Sequence, residues 1–116
     1  MDKRILLLNE LILTKIKSPP DIEELAAQIN ISSSRLRQIF KAEMKMPFGE
    51  YVQHLQMEHA RELLETTFKL IKQISVAVGF HDQSHFNHAF KEKYGLSPKK
   101  YRDENHQDLK KFNEKL

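Results

Sequence analysis

The sequence predicts an all-α protein of about seven helices, in which two copies of a two-helix unit are joined by one long connecting helix. Helical periodicity runs through almost the whole chain, with no alternating β-branched run and no Asn-Gly or Asp-Gly hairpin. Proline, glycine, asparagine and capping residues punctuate that periodicity at regular intervals. A stretch of the first half also returns, in register, in the second half.

The helices are expected at 2–17, 21–29, 33–44, 48–66, 70–78, 83–94 and 98–107. Pro19-Pro20 stops the first, because proline lacks the N–H the next turn needs, and Asp21 can cap the second. Ser32 or Ser33 can cap the third and Asp82 the sixth. Ser97-Pro98 reads as an N-cap followed by proline at the first helical position. Asn30 and Gly79 each end a short helix where a left-handed residue is required.

The repeat is specific. Leu25, Ile29, Asn30 and Ile31 match Ile74, Val78, Gly79 and Phe80 at an offset of 49. After a one-residue insertion, Leu36, Phe40, Lys41, Met44, Met46 and Tyr51 match Phe86, Phe90, Lys91, Tyr94, Leu96 and Tyr101 at an offset of 50. Each copy is a short helix, a tight turn and a second helix, which is the helix-turn-helix unit. Helix 48–66 lies between the copies with two apolar stripes. Phe48, Val52, Leu55 and Leu63 form one, and Met57, Ala60 and Leu64 lie roughly 110° around. A helix with two apolar sides packs on two bodies, so it bridges the copies. Its length, about 25–29 Å, compares with the about 34 Å between successive major grooves on one face of DNA. The expected organisation is a first subdomain at 1–47, a connecting helix at 48–66, a second subdomain at 67–107 and a polar tail at 108–116.

Composition narrows the function classes. The 116 residues suffice for one domain or two very small ones. With no cysteine, disulfides, thiol catalysis and thiolate metal sites are excluded. No apolar run approaches a membrane span, and "MDKRILLLNELILTK" lacks a signal-peptide cleavage site. A net charge of +3 permits a polyanionic partner without demanding one. No Gly-rich phosphate loop, nucleophile elbow, paired-carboxylate pocket or HExxH points to an enzyme or a cofactor.

The stretch "AVGFHDQSHFNHAFKEKYGLSPKKYR", residues 77–102, resembles the signature of the AraC/XylS family of transcription regulators. The likeness is carried by Gly79-Phe80, Phe86, Phe90-Lys91, Gly95, Ser97-Pro98 and Tyr101-Arg102. "IEELAAQINISSSRLRQIFKAEM" resembles the family's amino-terminal helix-turn-helix, and the resemblance covers roughly residues 5–102. Lys45 departs from the usual Gly, Gln56 from Arg or Lys, Ser75 from Ala and His88 from Arg or Lys. The resemblance implies two subdomains of the homeodomain-like, three-helix type. It implies a sequence-specific, double-stranded DNA-binding regulator, an activator more often than a repressor. Helices 33–44 and 83–94 would enter adjacent major grooves.

In the first reading helix Leu36, Ile39 and Phe40 form the buried face, which turns Ser34, Arg37, Gln38 and Lys41 outward. Arg pairs bidentately with guanine and Gln with adenine, so Arg37 and Gln38 lead the expected base contacts, with Ser34 beside them. Lys41 and the flanking Arg35 suit phosphate. In the second, Phe86, Ala89 and Phe90 face inward. The resemblance puts base or backbone contacts at Gln83, Ser84, His85, Asn87 and His88, and Lys91 shares their outward side. Lys99 and Lys100 are expected at phosphate, with a solvated surface as the equal alternative, while Arg102 can instead hold the last helix in place.

Three histidines, His81, His85 and His88, carry the i, i+4, i+7 spacing of a metal site. His81 precedes the cap Asp82, however, so it falls outside the helix, and no metal site is expected.

Alongside DNA, RNA polymerase and an amino-terminal effector-binding or dimerisation domain are implied as partners by the resemblance. It also implies a cytoplasmic location, on the nucleoid when bound to DNA, with no membrane. The alternative function is a helical interaction or dimerisation module. It rests on helix 2–17, where Ile5, Leu8, Ile12 and Ile16 make one stripe and Leu6, Leu7, Leu11 and Leu13 are left over. The favoured reading of that excess is that both sides pack inside the domain.

Overall fold

A computed structural model describes residues 2–114, so the ends of the expected first subdomain and polar tail, residues 1 and 115–116, lie outside the described residues. The described residues form α1 (Lys3–Thr14), α2 (Ile22–Gln28), α3 (Ser33–Met44), α4 (Phe48–Thr66), α5 (Ile71–Ala77), α6 (Gln83–Tyr94), α7 (Pro98–Asn105) and α8 (Gln107–Glu114). Among them there is no strand. The all-α class with two helix-turn-helix pairs is therefore as the sequence reads. α3, α4 and α6 start and stop at the expected residues, whereas α1 ends three residues early and α7 two.

The caps explain the boundaries. Asp21 accepts from the Glu24 N–H at 2.9 Å, Ser32 from Arg35 at 3.0 Å, Asp82 from Ser84 at 2.8 Å and Ser97 from Lys100 at 3.2 Å. Each satisfies one of the N–H groups a helix start leaves open, worth about 1 kcal/mol. Leu70 stands where the repeat has Asp21 and carries no capping oxygen. There the Gln73 side chain accepts the Leu70 N–H at 2.8 Å instead.

The chain divides into two compact units, Met1–Leu55 and Gln56–Leu116, with the division falling inside α4. The first unit is held by Ile5, Leu8 and Ile12 of α1, Ile22, Leu25 and Ala26 of α2, Leu36, Ile39 and Phe40 of α3, and Tyr51 of α4. Phe48, Val52 and Leu55 pack against that core. The second is held by Met57, Ala60 and Leu64 of α4, Ile74 and Val78, Phe80, and Phe86 and Phe90 of α6. Leu63, expected with the Phe48 stripe, packs in this second core. At 100° per residue Leu63 lies about 80° around from Leu55, toward the Met57 stripe, so it borders the second core.

The repeat extends further than the helix pairs. Ile5, Leu8 and Ile12 correspond to Met57, Ala60 and Leu64 at an offset of 52. The second half of α4 thus does for the second unit what α1 does for the first. The aromatic closures correspond too. Phe40 lies 5.5 Å from Tyr51, and Phe90 lies 5.5 Å from Tyr101. The Tyr51 hydroxyl donates to Asn9 of α1, while the Tyr101 hydroxyl donates to Glu65 of α4 at 2.7 Å. Position 61, the counterpart of Asn9, is Arg61, which bridges Glu58 and Glu65 at 2.9 Å each. Its hydrogen bond to Glu58 first, and a longer one to the Tyr101 hydroxyl at 3.5 Å second, raise the Arg61 pKa above its ordinary value. Burial first, and its hydrogen bond to Glu58 second, push the Tyr94 phenol up.

α1 corrects one expectation. Of its leftover leucines only Leu11 packs against the core of the unit; Leu6 and Leu7 are each 52% exposed and Leu13 is 45% exposed. A single-layer core touches only one stripe of a helix, and Ile5, Leu8 and Ile12 already fill it.

Both α3 and α6 end on a left-handed residue, Lys45 at φ 61° and Gly95 at φ 81°. Only glycine takes that conformation without steric cost. Lys45→Gly is expected to stabilise by about 0.5–1 kcal/mol and Gly95→Ala to destabilise by about 1–2 kcal/mol, read as shifts of the urea midpoint. A Lys45→Gly variant no more stable than the parent contradicts the strain at that turn.

Candidate nucleic-acid interface

α3 buries Leu36, Ile39 and Phe40, and helical spacing therefore puts Ser34, Arg37, Gln38 and Lys41 together on its opposite side. All four are exposed, as is the flanking Arg35. Two of them are already engaged. The Arg37 Nη2 donates to Glu23 Oε1 of α2 at 2.9 Å, and the Arg35 Nη1 donates to Gln38 Oε1 at 3.4 Å. A guanidinium has five N–H donors, so Arg37 keeps a bidentate edge open despite the pair. Gln38 keeps its amide donors and one acceptor lone pair, which is what adenine recognition uses. Arg37 and Lys41 also edge a hollow of ≈ 360 Å³ whose other walls are Ile22, Pro47, Phe48 and Gly49.

α6 buries Phe86 and Phe90, with Ala89 partly buried beside them. Gln83, Ser84, His85, His88 and Lys91 are exposed. The His85 ring meets the Phe80 ring edge-on at 5.2 Å, which anchors an otherwise exposed imidazole. His88 Nε2 lies 3.7 Å from Glu92 Oε2, an ion pair only when the imidazole is protonated. Asn87 departs from its expected outward placement. It is half-buried, and its Oδ1 is shielded from solvent without a hydrogen-bond partner. It lies about 100° around the helix from the buried Phe86, on the flank between the core and the open face.

Lys99 and Lys100 are exposed in the first turn of α7. Arg102 is half-buried, and its Nε donates to the Leu64 carbonyl at 3.4 Å. Burial pulls its pKa below the ordinary arginine value. It ties α7 to α4 within the second unit, the structural role the sequence allowed it.

The histidine cluster is not assembled. His81 lies in the bend before α6, and no group of three His, Cys, Asp or Glu side chains among the described residues could hold a metal ion. His106 is instead a packing residue. Its Nδ1 accepts the Asp108 N–H at 3.1 Å, which leaves Nε2–H to donate to the Thr67 carbonyl at 2.9 Å, and its ring stacks on Phe68. Sequence reasoning passed over Glu23, because an acid in the first turn of a helix is ordinary dipole compensation and gives no hint of a partner 14 residues away.

Comparison with known proteins agrees with the geometry. A family model described as a helix-turn-helix domain matches residues 25–104. The HTH-type transcriptional regulator MtrA of Neisseria gonorrhoeae is 30% identical over 103 residues, which cover 89% of this chain and 34% of that protein. The HTH-type transcriptional activator RhaR of Escherichia coli K12 is 31% identical over 92 residues, covering 79% of this chain and 33% of RhaR. The crystal structure of a transcriptional regulator from Chromobacterium violaceum, described as of the AraC-type DNA-binding domain-containing proteins, superposes with a TM-score of 0.85. It is 26% identical, over 90% of this chain and 94% of that one. The chain spans about a third of the length of the curated relatives it matches. No helix among the described residues is long and apolar enough to cross a membrane.

Proposed function

The chain belongs to the AraC-type helix-turn-helix family, and from that premise we propose that it is a sequence-specific, double-stranded DNA-binding transcription regulator. α3 and α6 are its two reading helices, set in adjacent major grooves with α4 as the connector. The observation that carries this reading is the paired surface. In each unit the buried apolar face of the second helix forces an opposite face rich in hydrogen-bonding and cationic groups into solvent.

The base contacts fall to Ser34, Arg37 and Gln38 of α3 and to Gln83, Ser84, His85 and His88 of α6, with Asn87 at the margin. Arg35, Lys41, Lys91, Lys99 and Lys100 take phosphates. The protein binds rather than catalyses, and it works in the cytoplasm on the nucleoid. It acts as an activator alongside RNA polymerase, with effector sensing or dimerisation supplied by a separate amino-terminal domain.

Titration of a duplex at several salt concentrations tests the electrostatic half of this reading. Five phosphate-binding cations predict a slope of log K against log salt of about −4 to −5. A slope near zero contradicts it. The second reading, a helical interaction or dimerisation module, is supported by the exposed Leu6, Leu7 and Leu13. A strictly monomeric species at high concentration in sedimentation equilibrium removes its dimer form.

A further inference from the structure

We propose that Glu23 is a specificity-determining residue of the first reading helix, acting as a positioning residue for Arg37. The inference rests on the DNA-reading function proposed above and adds a device that governs its selectivity.

The carboxylate of Glu23, in the first turn of α2, holds the Arg37 Nη2 at 2.9 Å across the helix-turn-helix. Both side chains are more than half exposed, at 61% and 54%, so the pair is screened and adds little to folding. Its consequence lies in where the guanidinium can go. A free arginine on a reading helix has two uses on DNA: a phosphate, which carries no sequence information, or a guanine edge, which does. A carboxylate beside the guanidinium repels phosphate oxygens and occupies one donor, while the remaining edge still fits guanine O6 and N7. Glu23 therefore weakens binding to every duplex and favours the one pose that discriminates. Selectivity obtained by opposing the wrong contact is a general strategy of specific interfaces.

The second copy lacks this device. At the repeat offsets, Lys72 stands in place of Glu23 and Asn87 in place of Arg37. An effect of Glu23 must then appear only in the part of the DNA site that α3 reads. That confinement separates positioning from any general change in charge.

The test is competition between an enriched duplex and a scrambled one. It uses the full chain as wild type, Glu23→Gln, Arg37→Ala and the double variant. Glu23→Gln is expected to tighten binding to the scrambled duplex and to lower the specific-to-scrambled ratio by about three- to fivefold. In the Arg37→Ala background the same substitution should leave the ratio unchanged. The motif selected by Glu23→Gln should lose definition in one base block and keep the other. A wild-type ratio for Glu23→Gln overturns the proposal, as does an equal fall in the Arg37→Ala background. If wild type itself shows no preference for any duplex, the DNA-reading function fails and the proposal with it. If wild type discriminates and Glu23→Gln matches it, only the role of Glu23 falls. The exposed position leaves folding intact, and an unchanged thermal melt verifies this.

Discussion

Replacing Phe90 by alanine is expected to destabilise the protein by about 3–5 kcal/mol, the cost of deleting a fully buried aromatic ring and leaving a cavity. Phe90 sits where the second unit closes. Its ring lies 4.6 Å from Tyr94, 5.5 Å from Tyr101 and 6.0 Å from Phe86. Removing it loosens the packing that fixes α6 against α7, and with it the orientation of every outward group on α6. The measurement is urea unfolding followed by circular dichroism. Only a few kcal/mol separate small domains from their unfolded chains, so partial unfolding at ambient temperature is within the expected result. A loss under about 1 kcal/mol contradicts the assignment of Phe90 to the centre of that core.

Arg37→Ala is expected to cost about 1–3 kcal/mol on the preferred duplex and to relax one base position, leaving binding to unrelated DNA nearly unchanged. Lys41→Ala should behave oppositely. A phosphate contact is blind to sequence, so affinity falls on all duplexes alike and the salt slope drops by about 1. The two residues lie one turn apart on the same exposed face of α3 and carry the same formal charge. Formal charge alone cannot distinguish them, and the contrast therefore tests the geometry and surroundings of each cation, Arg37 being held by Glu23. If Arg37→Ala discriminates like wild type, Arg37 does not read a base.

Much of the fold was legible because its punctuation is local. Ser32, Asp82 and Ser97-Pro98 announce helix starts, and Asn30 and Gly79 announce turns, from chemistry within three residues of each position. The helix pairs were legible because the two copies keep apolar type at matching positions. The correspondence of α1 with the second half of α4 was not. Leu8 and Ala60 differ strongly in volume, and the linker from α4 to α5 is shorter than that from α1 to α2. That difference moves the offset from 49 to 52 and hides the register.

Of the candidate site, exposure followed from the 3.6-residue period wherever the residue sat opposite the core, as Gln38 and His88 do. The period does not decide burial on the flank between faces, where the repeat-related Arg37 is exposed and Asn87 half-buried. The Glu23–Arg37 pair and the packing of His106 on Phe68 join residues far apart in sequence, and nothing in either local pattern marks its partner. The leftover leucines of α1 showed an apolar excess, but the sequence could not say whether a second body covered them.

The central claim is that one chain reads two unlike stretches of DNA with α3 and α6. It is tested most directly by selecting bound duplexes from a random pool at physiological salt and reading the enriched motif. The two reading helices differ in their outward residues, so the account predicts two unlike base blocks about ten base pairs apart. A single block would mean that one unit only grips the backbone. No enrichment at all would contradict sequence-specific reading by this chain.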